Sequence, residues 1–394
     1  MHDARKQEKR RNLLKAALSV LLYLGVLNAS MLSAWAGEVD NYYAWGHDIK
    51  DSRAAFNNFF NIQIKTILAT INRKGGFNSE HCEGVALEIM KKLGATRYPF
   101  TYRGALNTEM EYWAQESPAL DHLPKLGESL AEYARKSIYA PEMTTFGVST
   151  DLDVIVNVGG VYFGTDKISH FLGSGFEYYR KYLKYRKNNT ETMAKALAIK
   201  WGVGMENGII GTKAVGIFAY ADLEANFQGM EMAIDFCSQP TPYLKYQENK
   251  WELVRAAQLQ NYVNPNWDES YNVSAYTRKR LSKVRVNIQE LGLCNKLQST
   301  WVENLRQSYN ARNTINQSSS GFLDTGLSSK LLHISQKFQQ EPFDEKVYEQ
   351  LTETYQINLS FQDFLEFNKG LTLRDQNYFT LHYLCSHAEA GPIQ

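Results

Sequence analysis

Three runs near the middle of the chain hold residues that can move protons or carry charge. Residues 164–184 read GTDKISHFLGSGFEYYRKYLK and contain Asp166, Lys167 and His170. Residues 220–235 read YADLEANFQGMEMAID and contain Asp222 and Asn226, and the stretch between the two carries Glu206. At about 100° per residue, Asp166, His170, Gly173 and Glu177 share one helical stripe, and Asp222, Asn226 and Gly229 repeat its first three positions. An Asp beside a His fixes its tautomer and raises its basicity, which makes a general base near neutral pH. Glu206 would then serve as acid or nucleophile if burial separates its pKa from its neighbours. Lys167 lies off the stripe and would steer an anionic substrate such as a lipid phosphate. The candidate catalytic residues are therefore His170, Asp166, Glu206 and Asp222, with Lys167 and Asn226 as candidate substrate-binding residues. The competing expectation is that the same side chains form a buried network that only fixes helix register.

Several chemistries are missing. There is no G-x-S-x-G and no H-E-x-x-H, and no two histidines share a helix face. No metal is assigned on this basis and no cofactor is named, although one His with several carboxylates suits magnesium, calcium or manganese better than structural zinc. Glu80, Glu83 and Glu88 near His81 read as a solvated face. The aromatic run Tyr178, Tyr179, Tyr182 and Tyr185, with Arg180, Lys181 and Lys184, is a candidate contact for lipid headgroups or glycans.

The elements that must position these residues are mostly helices. No proline falls between Pro141 and Pro240, and residues 57–72, 81–93, 126–139 and 251–262 carry apolar residues at three- and four-residue spacing. Ile168, Phe171, Leu172, Phe176, Tyr179 and Leu183 would face a core, with Gly173 and Gly229 as the points where two helices approach closely. Thr165 reads as the N-cap. Residues 153–163, valine-rich with a Gly pair, are the one extended stretch. The expected fold is mainly α: a compact multi-helix core with helical flanks, and one short β hairpin or extended segment before the D-K-x-x-H-F helix. The expected divisions are a signal peptide at 1–36, an N-terminal helical region at 37–150, the helical core at 151–237 and a further helical region at 238–306. A Ser/Asn-rich linker at 307–329 and a C-terminal helical segment at 330–394 complete the chain.

The first 36 of the 394 residues hold six basic and two acidic side chains, then an apolar run, then Ala34-Trp35-Ala36. That is the order of a secretory signal cleaved before Gly37, and the apolar run is too short to span a bilayer. The mature chain is expected outside the cytoplasm, in the periplasm or associated with the outer membrane, with no further membrane span. All four cysteines (Cys82, Cys237, Cys294, Cys385) lie in the exported part, where two disulfides with any of three pairings are open. A formal net charge of +1 excludes a general nucleic-acid binder.

The run Asp166-Lys167-x-x-His170-Phe171, then Glu206, then Asp222-x3-Asn226-x2-Gly229 resembles the YfiM-like family of bacterial envelope proteins, and its motif order is also similar to that of VanZ-like membrane proteins. The resemblance covers roughly residues 160–229. It implies an envelope location and a small helical core, and it implies no reaction. The chain lacks the lipid-anchored cysteine of the YfiM-like lipoproteins and the membrane spans of the VanZ-like proteins. The leading expectation is an exported envelope hydrolase acting on a lipid or cell-wall substrate, with possible peripheral membrane contact. The alternative is a non-enzymatic structural or binding protein, so whether the chain is an enzyme is left open.

Overall fold

The computed structural model describes residues 37–95, 108–140, 152–208, 211–213, 215–238, 240–312, 327–373 and 381–386. The expected signal peptide lies outside these residues. The architecture is mainly helical with only small sheets, as the sequence pattern implies. None of the described helices is long and apolar enough to cross a membrane.

Helix α1 (Arg53–Lys74) buries Phe56, Phe60, Ile64, Leu68 and Ile71, a single stripe at helical spacing. Helices α2 (Cys82–Leu93), α3 (Glu109–Glu116) and the short α4 (Leu130–Arg135) follow, with strand β1 (His122–Leu123) before α4. The expected helix at 126–139 is thus only six residues long, starting where Ser129 caps the Glu132 amide. Strands β2 (Ile155–Val158) and β3 (Val161–Gly164) form the expected hairpin. Its two-residue turn is Gly159-Gly160, both at positive φ, which suits a tight hairpin turn. β1 pairs with the outer edge of β2.

β3 leads directly into the D-K-x-x-H-F helix. Its first turn is α5 (Asp166–Ser169), a π segment occupies His170–Ser174, and α6 (Gly175–Tyr185) continues it. Thr165 does not cap α5; its hydroxyl is instead directed at the Gln115 amide. Helix α7 (Glu191–Glu206) ends on Glu206, and α8 (Tyr220–Asp235) follows strand β4 (Ile217–Phe218). Every residue of α8 from Tyr220 to Met230 is buried, including Asp222, Glu224, Asn226 and Gln228, so α8 is enclosed on all sides.

The π segment changes which residues meet. A wider turn sets the following residues back in phase relative to an unbroken α-helix. Gly175, not Gly173, therefore lies against Gly229: a methyl carbon on Gly175 would sit 2.8 Å from the Gly229 Cα. Gly173 faces Gly94 at the end of α2. The same phase change leaves Arg180 and Lys184 exposed, away from His170. The aromatic run does not form a surface for lipid: Tyr178, Tyr179 and Tyr182 are buried, and only Tyr185 is part-exposed.

Residues 251–262 do not form the expected α-helix. Strands β5 (Leu244–Gln247) and β6 (Lys250–Leu253) form a hairpin around Glu248 and Asn249, both at positive φ. Side chains of α1 take up the backbone groups that a helix would have used. Asn72 bonds both the amide and the carbonyl of Trp251, and Asn61 does the same for Ala257. A short 3-10 turn, Leu259–Asn261, and a second, Pro265–Trp267, carry the chain to strand β7 (Ala275–Tyr276), which pairs with β4. Helices α9 (Arg278–Glu290), α10 (Leu293–Lys296) and α11 (Thr300–Arg312) come next. The expected linker is helical at both ends, since α11 reaches Arg312 and α12 (Leu327–Gln340) begins at Leu327; residues 313–326 lie outside the described set. Helices α13 (Glu345–Tyr355), α14 (Phe361–Asn368) and α15 (Leu381–Ser386) complete the chain.

One apolar core runs from Phe56 through Leu371 and draws on α1, α2, α6, α7, α8, α12 and α14 together. The cysteines resolve into Cys82–Cys237, which ties α2 to the end of α8, and Cys294–Cys385, which ties α10 to α15. Their Cα separations are 5.9 and 5.6 Å, ordinary for disulfides.

Candidate functional site: a buried acidic cluster around Lys167

The N-terminal turn of α5 and the N-terminal half of α8 bring the expected residues together. The Lys167 ammonium, fully buried, lies 2.5 Å from Asp166 Oδ2, 2.7 Å from Asp222 Oδ1 and 2.6 Å from Glu269 Oε1. Three stretches of chain thus converge on one cation. His170, one turn on from Asp166, places Nε2 3.1 Å from Asp222 Oδ2 and Nδ1 3.0 Å from Asn226 Oδ1. Glu206 lies at the end of α7, where its Oε1 accepts the Ala219 amide at 3.0 Å, just ahead of α8. All these residues are at most 3% exposed.

Two members escaped the sequence reading. Glu269 follows the Pro265–Trp267 turn, and Glu38 lies at the start of the described chain; neither belongs to a periodic segment. Glu269 is held on its other oxygen by Ser274 at 3.3 Å and Tyr139 at 3.4 Å. Glu38 is 3% exposed, and its carboxyl is pushed well up by burial and then by the charges of Glu269 and Asp222. The polar dipeptide Asp268-Glu269 amid aromatic residues was the one available signal, and by itself it reads as a turn.

The electrostatics follow from burial. Asp166 is pushed up to about 6 by burial, with Lys167 opposing the rise and Asp222 and Glu269 adding to it. Asp222 and Glu269 are likewise raised by burial against the pull of Lys167, and Glu206 is raised well up by burial and by Asp222. Burial works against the Lys167 charge, but the carboxylates of Asp166, Asp222 and Glu269 outweigh it and hold the ammonium above its usual range. His170 is pushed down to about 4 by burial and by Lys167. The imidazole is therefore neutral and a weak base at neutral pH, the opposite of the strengthened base that its spacing from Asp166 suggests. The carboxylate beside it is Asp222.

Hydrogen-bonded polar groups surround the cluster, although Asp153 Oδ2 and Gln228 Oε1 are left without a hydrogen-bond partner. The Ser169 hydroxyl bonds Glu111 and Thr108, Gln115 reaches Asp153, and Glu224 accepts from Gln228, Asn264 and Ser329. Three of its atoms, Asp166 Oδ1, His170 Nε2 and Asp222 Oδ1, are buried and without a hydrogen bond, and of these Asp222 Oδ1 is ion-paired with Lys167. One donor atom from each of Asp166, His170 and Asp222 lies within 4.8 Å of the other two, a spacing compatible with a shared ion. The acids near His81 take no part: Glu83 pairs with Arg186 and Glu88 with Lys91. Comparisons of the chain with protein-family models, with curated proteins and with solved structures find no match.

Proposed function

We propose that the chain is an exported protein of the bacterial cell envelope in which the cluster around Lys167 joins helices and does not turn over a substrate. The observation that carries this reading is the fully buried ammonium, bound to carboxylates from three separate stretches of chain. A substrate-steering lysine needs a free, reachable charge, and this one is spent on its neighbours. Two disulfides suit an oxidising compartment, the N-terminal residue order suits an export signal, and the motif order suits a YfiM-like envelope protein. The test is export of the full chain from a bacterial host with intact-mass analysis, followed by unfolding of the mature protein and its Lys167→Met and His170→Ala variants. A mature chain starting at Gly37, with both variants markedly less stable and no envelope lipid or peptidoglycan fragment shifting any of them, supports the reading. Variants as stable as the wild type overturn it.

A second reading, hydrolysis of an envelope lipid or cell-wall substrate by His170, Asp166, Glu206 and Asp222, has one specific support. The Asp166 carboxyl, raised to about 6, lies in the range of a general acid, next to a neutral imidazole. Turnover of an envelope lipid or peptidoglycan fragment, lost in a stably folded His170→Ala protein, would establish it.

A further inference from the structure

We propose that Asp166, His170 and Asp222 hold a divalent metal ion, with Asn226 orienting the imidazole. The inference deepens the helix-joining reading and rests on it: the ion would be a second cation, beside Lys167, holding α5 to α8.

Hydrogen-bond geometry carries it first. The Nδ1 of His170 faces the side-chain oxygen of Asn226, an acceptor, which favours the tautomer with the proton on Nδ1 and the lone pair on Nε2. That lone pair lies 3.1 Å from Asp222 Oδ2, itself an acceptor. Two acceptors at this distance repel unless something positive lies between them. A metal-bound imidazole has the same arrangement, with the distal N–H given to an oxygen and the other nitrogen turned toward carboxylates.

The second observation is independent of the ring. Asp166 Oδ1, on a side chain 2% exposed, has no hydrogen-bond partner, and a buried polar atom left so is costly. Charge points the same way. Asp166, Asp222 and Glu269 are buried and share one buried ammonium, Lys167, so three carboxylates face one positive charge. A divalent ion would offset the excess negative charge. One imidazole with two carboxylates suits a metal that accepts both nitrogen and oxygen, and Mn²⁺ is the probe of choice, with Mg²⁺ and Zn²⁺ as comparators. The competitor for the same place is a single proton shared by His170 and Asp222.

The experiment uses the full mature protein, refolded from urea with Mn²⁺ and freed of excess ion. The expected result is one Mn²⁺ per chain, with nitrogen coupling from one imidazole in pulsed electron paramagnetic resonance. His170→Gln should remove that coupling and weaken binding at least tenfold. No bound Mn²⁺, Mg²⁺ or Zn²⁺ at millimolar concentration, or bound Mn²⁺ without nitrogen coupling, overturns the site and leaves the shared proton. If His170→Gln does not fold, the wild-type coupling alone decides. Lys167→Met unfolding keeps the two readings apart. A destabilised Lys167→Met protein whose parent binds no ion retains the helix joint and loses the metal. A bound, imidazole-coupled ion with an undiminished Lys167→Met protein retains the metal and loses the joint.

Discussion

Adding one methyl group to Gly229 should destabilise the protein, whereas the same change at Gly204 should stabilise it. Gly229 lies in α8 where the π segment passes. A methyl carbon there would be driven into the Phe171 carbonyl oxygen, with the carbonyl carbon at 2.7 Å and the Gly175 Cα at 3.0 Å. Carbon atoms pack at about 3.5 Å or more, so the two helices would have to part by about 1 Å. The obstacle is backbone, so no side chain can rotate aside. Overpacking of this kind costs up to about 3 kcal/mol. The His170···Asn226 bond, one turn away, adds about 1 kcal/mol if it lengthens. The gain in helix propensity from Gly to Ala returns about 1 kcal/mol, which leaves a net loss of about 3 kcal/mol. Gly204, exposed in α7, has nothing within 4 Å of an added methyl, so Gly204→Ala should gain roughly 0.5–1 kcal/mol. The assay is equilibrium urea unfolding with both disulfides intact, in which a loss of about 3 kcal/mol moves the midpoint down by at most about 1 M for a chain of this size. A Gly229→Ala protein as stable as the wild type, beside a Gly204→Ala protein that behaves as expected, would show that α8 and the π segment do not meet at this point.

Other expectations concern charge, pH and cross-links. Lys167→Met removes the cation shared by three buried carboxylates and should cost about 3–5 kcal/mol in urea unfolding at pH 7; an unchanged midpoint would mean the carboxylates are not paired through it. Asp268, buried and raised to about 7 chiefly by desolvation, binds a proton more tightly in the folded chain than in the unfolded one. Its contribution is thus fully present below the unfolded carboxyl range near 4 and is lost as pH rises to about 7. Between pH 5 and 7 the wild type should lose up to about 1.4 kcal/mol per pH unit relative to Asp268→Asn, and parallel pH curves for the two proteins would refute the assignment. Using the variant as reference removes the opposite trend of His170, whose depressed pKa makes stability rise with pH from about 4 to 6.5. Replacing either cysteine pair by serine should cost about 4–5 kcal/mol, and the two losses should be close, because loop entropy depends only logarithmically on the separations of 155 and 91 residues. A loss confined to one pair would mean that the other bridge is not formed.

The legible parts of the molecule are those governed by a single local rule. Phe56, Phe60, Ile64, Leu68 and Ile71 recur at helical spacing and are buried as a stripe, and the Gly pair between two valine-rich runs becomes a hairpin turn. The motif residues met for the same reason: Asp166 and His170, like Asp222 and Asn226, are one turn apart on helices that also bury apolar residues. The illegible parts depend on partners far away in sequence. Residues 251–257 have a helical apolar pattern, but Asn61 and Asn72 on α1 claim their backbone groups, and no local rule reports an asparagine 179 or 196 residues away. Glu38 and Glu269 join the cluster from irregular segments, where no periodicity says which way a side chain points.

The π segment explains the most instructive difference. Extrapolated as a regular helix, residues 166–184 put Arg180 and Lys184 in line with Asp166 and His170, which makes the acidic stripe look half solvated. The wider turn at His170–Ser174 breaks that line. Beyond it Tyr178 and Tyr182 turn into the core, while Arg180 pairs with Glu177 at the surface. Ahead of it Asp166, Lys167 and His170 stay enclosed against α8. Wider turns interrupt helices where packing or a ligand demands it, and here Gly175 and Gly229 let the backbones close over the site. The glycines, the π segment and the acidic cluster therefore form one device: close packing of the two helices shuts water out of the cluster. That exclusion raises the carboxyls, lowers His170, and makes each unpartnered atom inside costly.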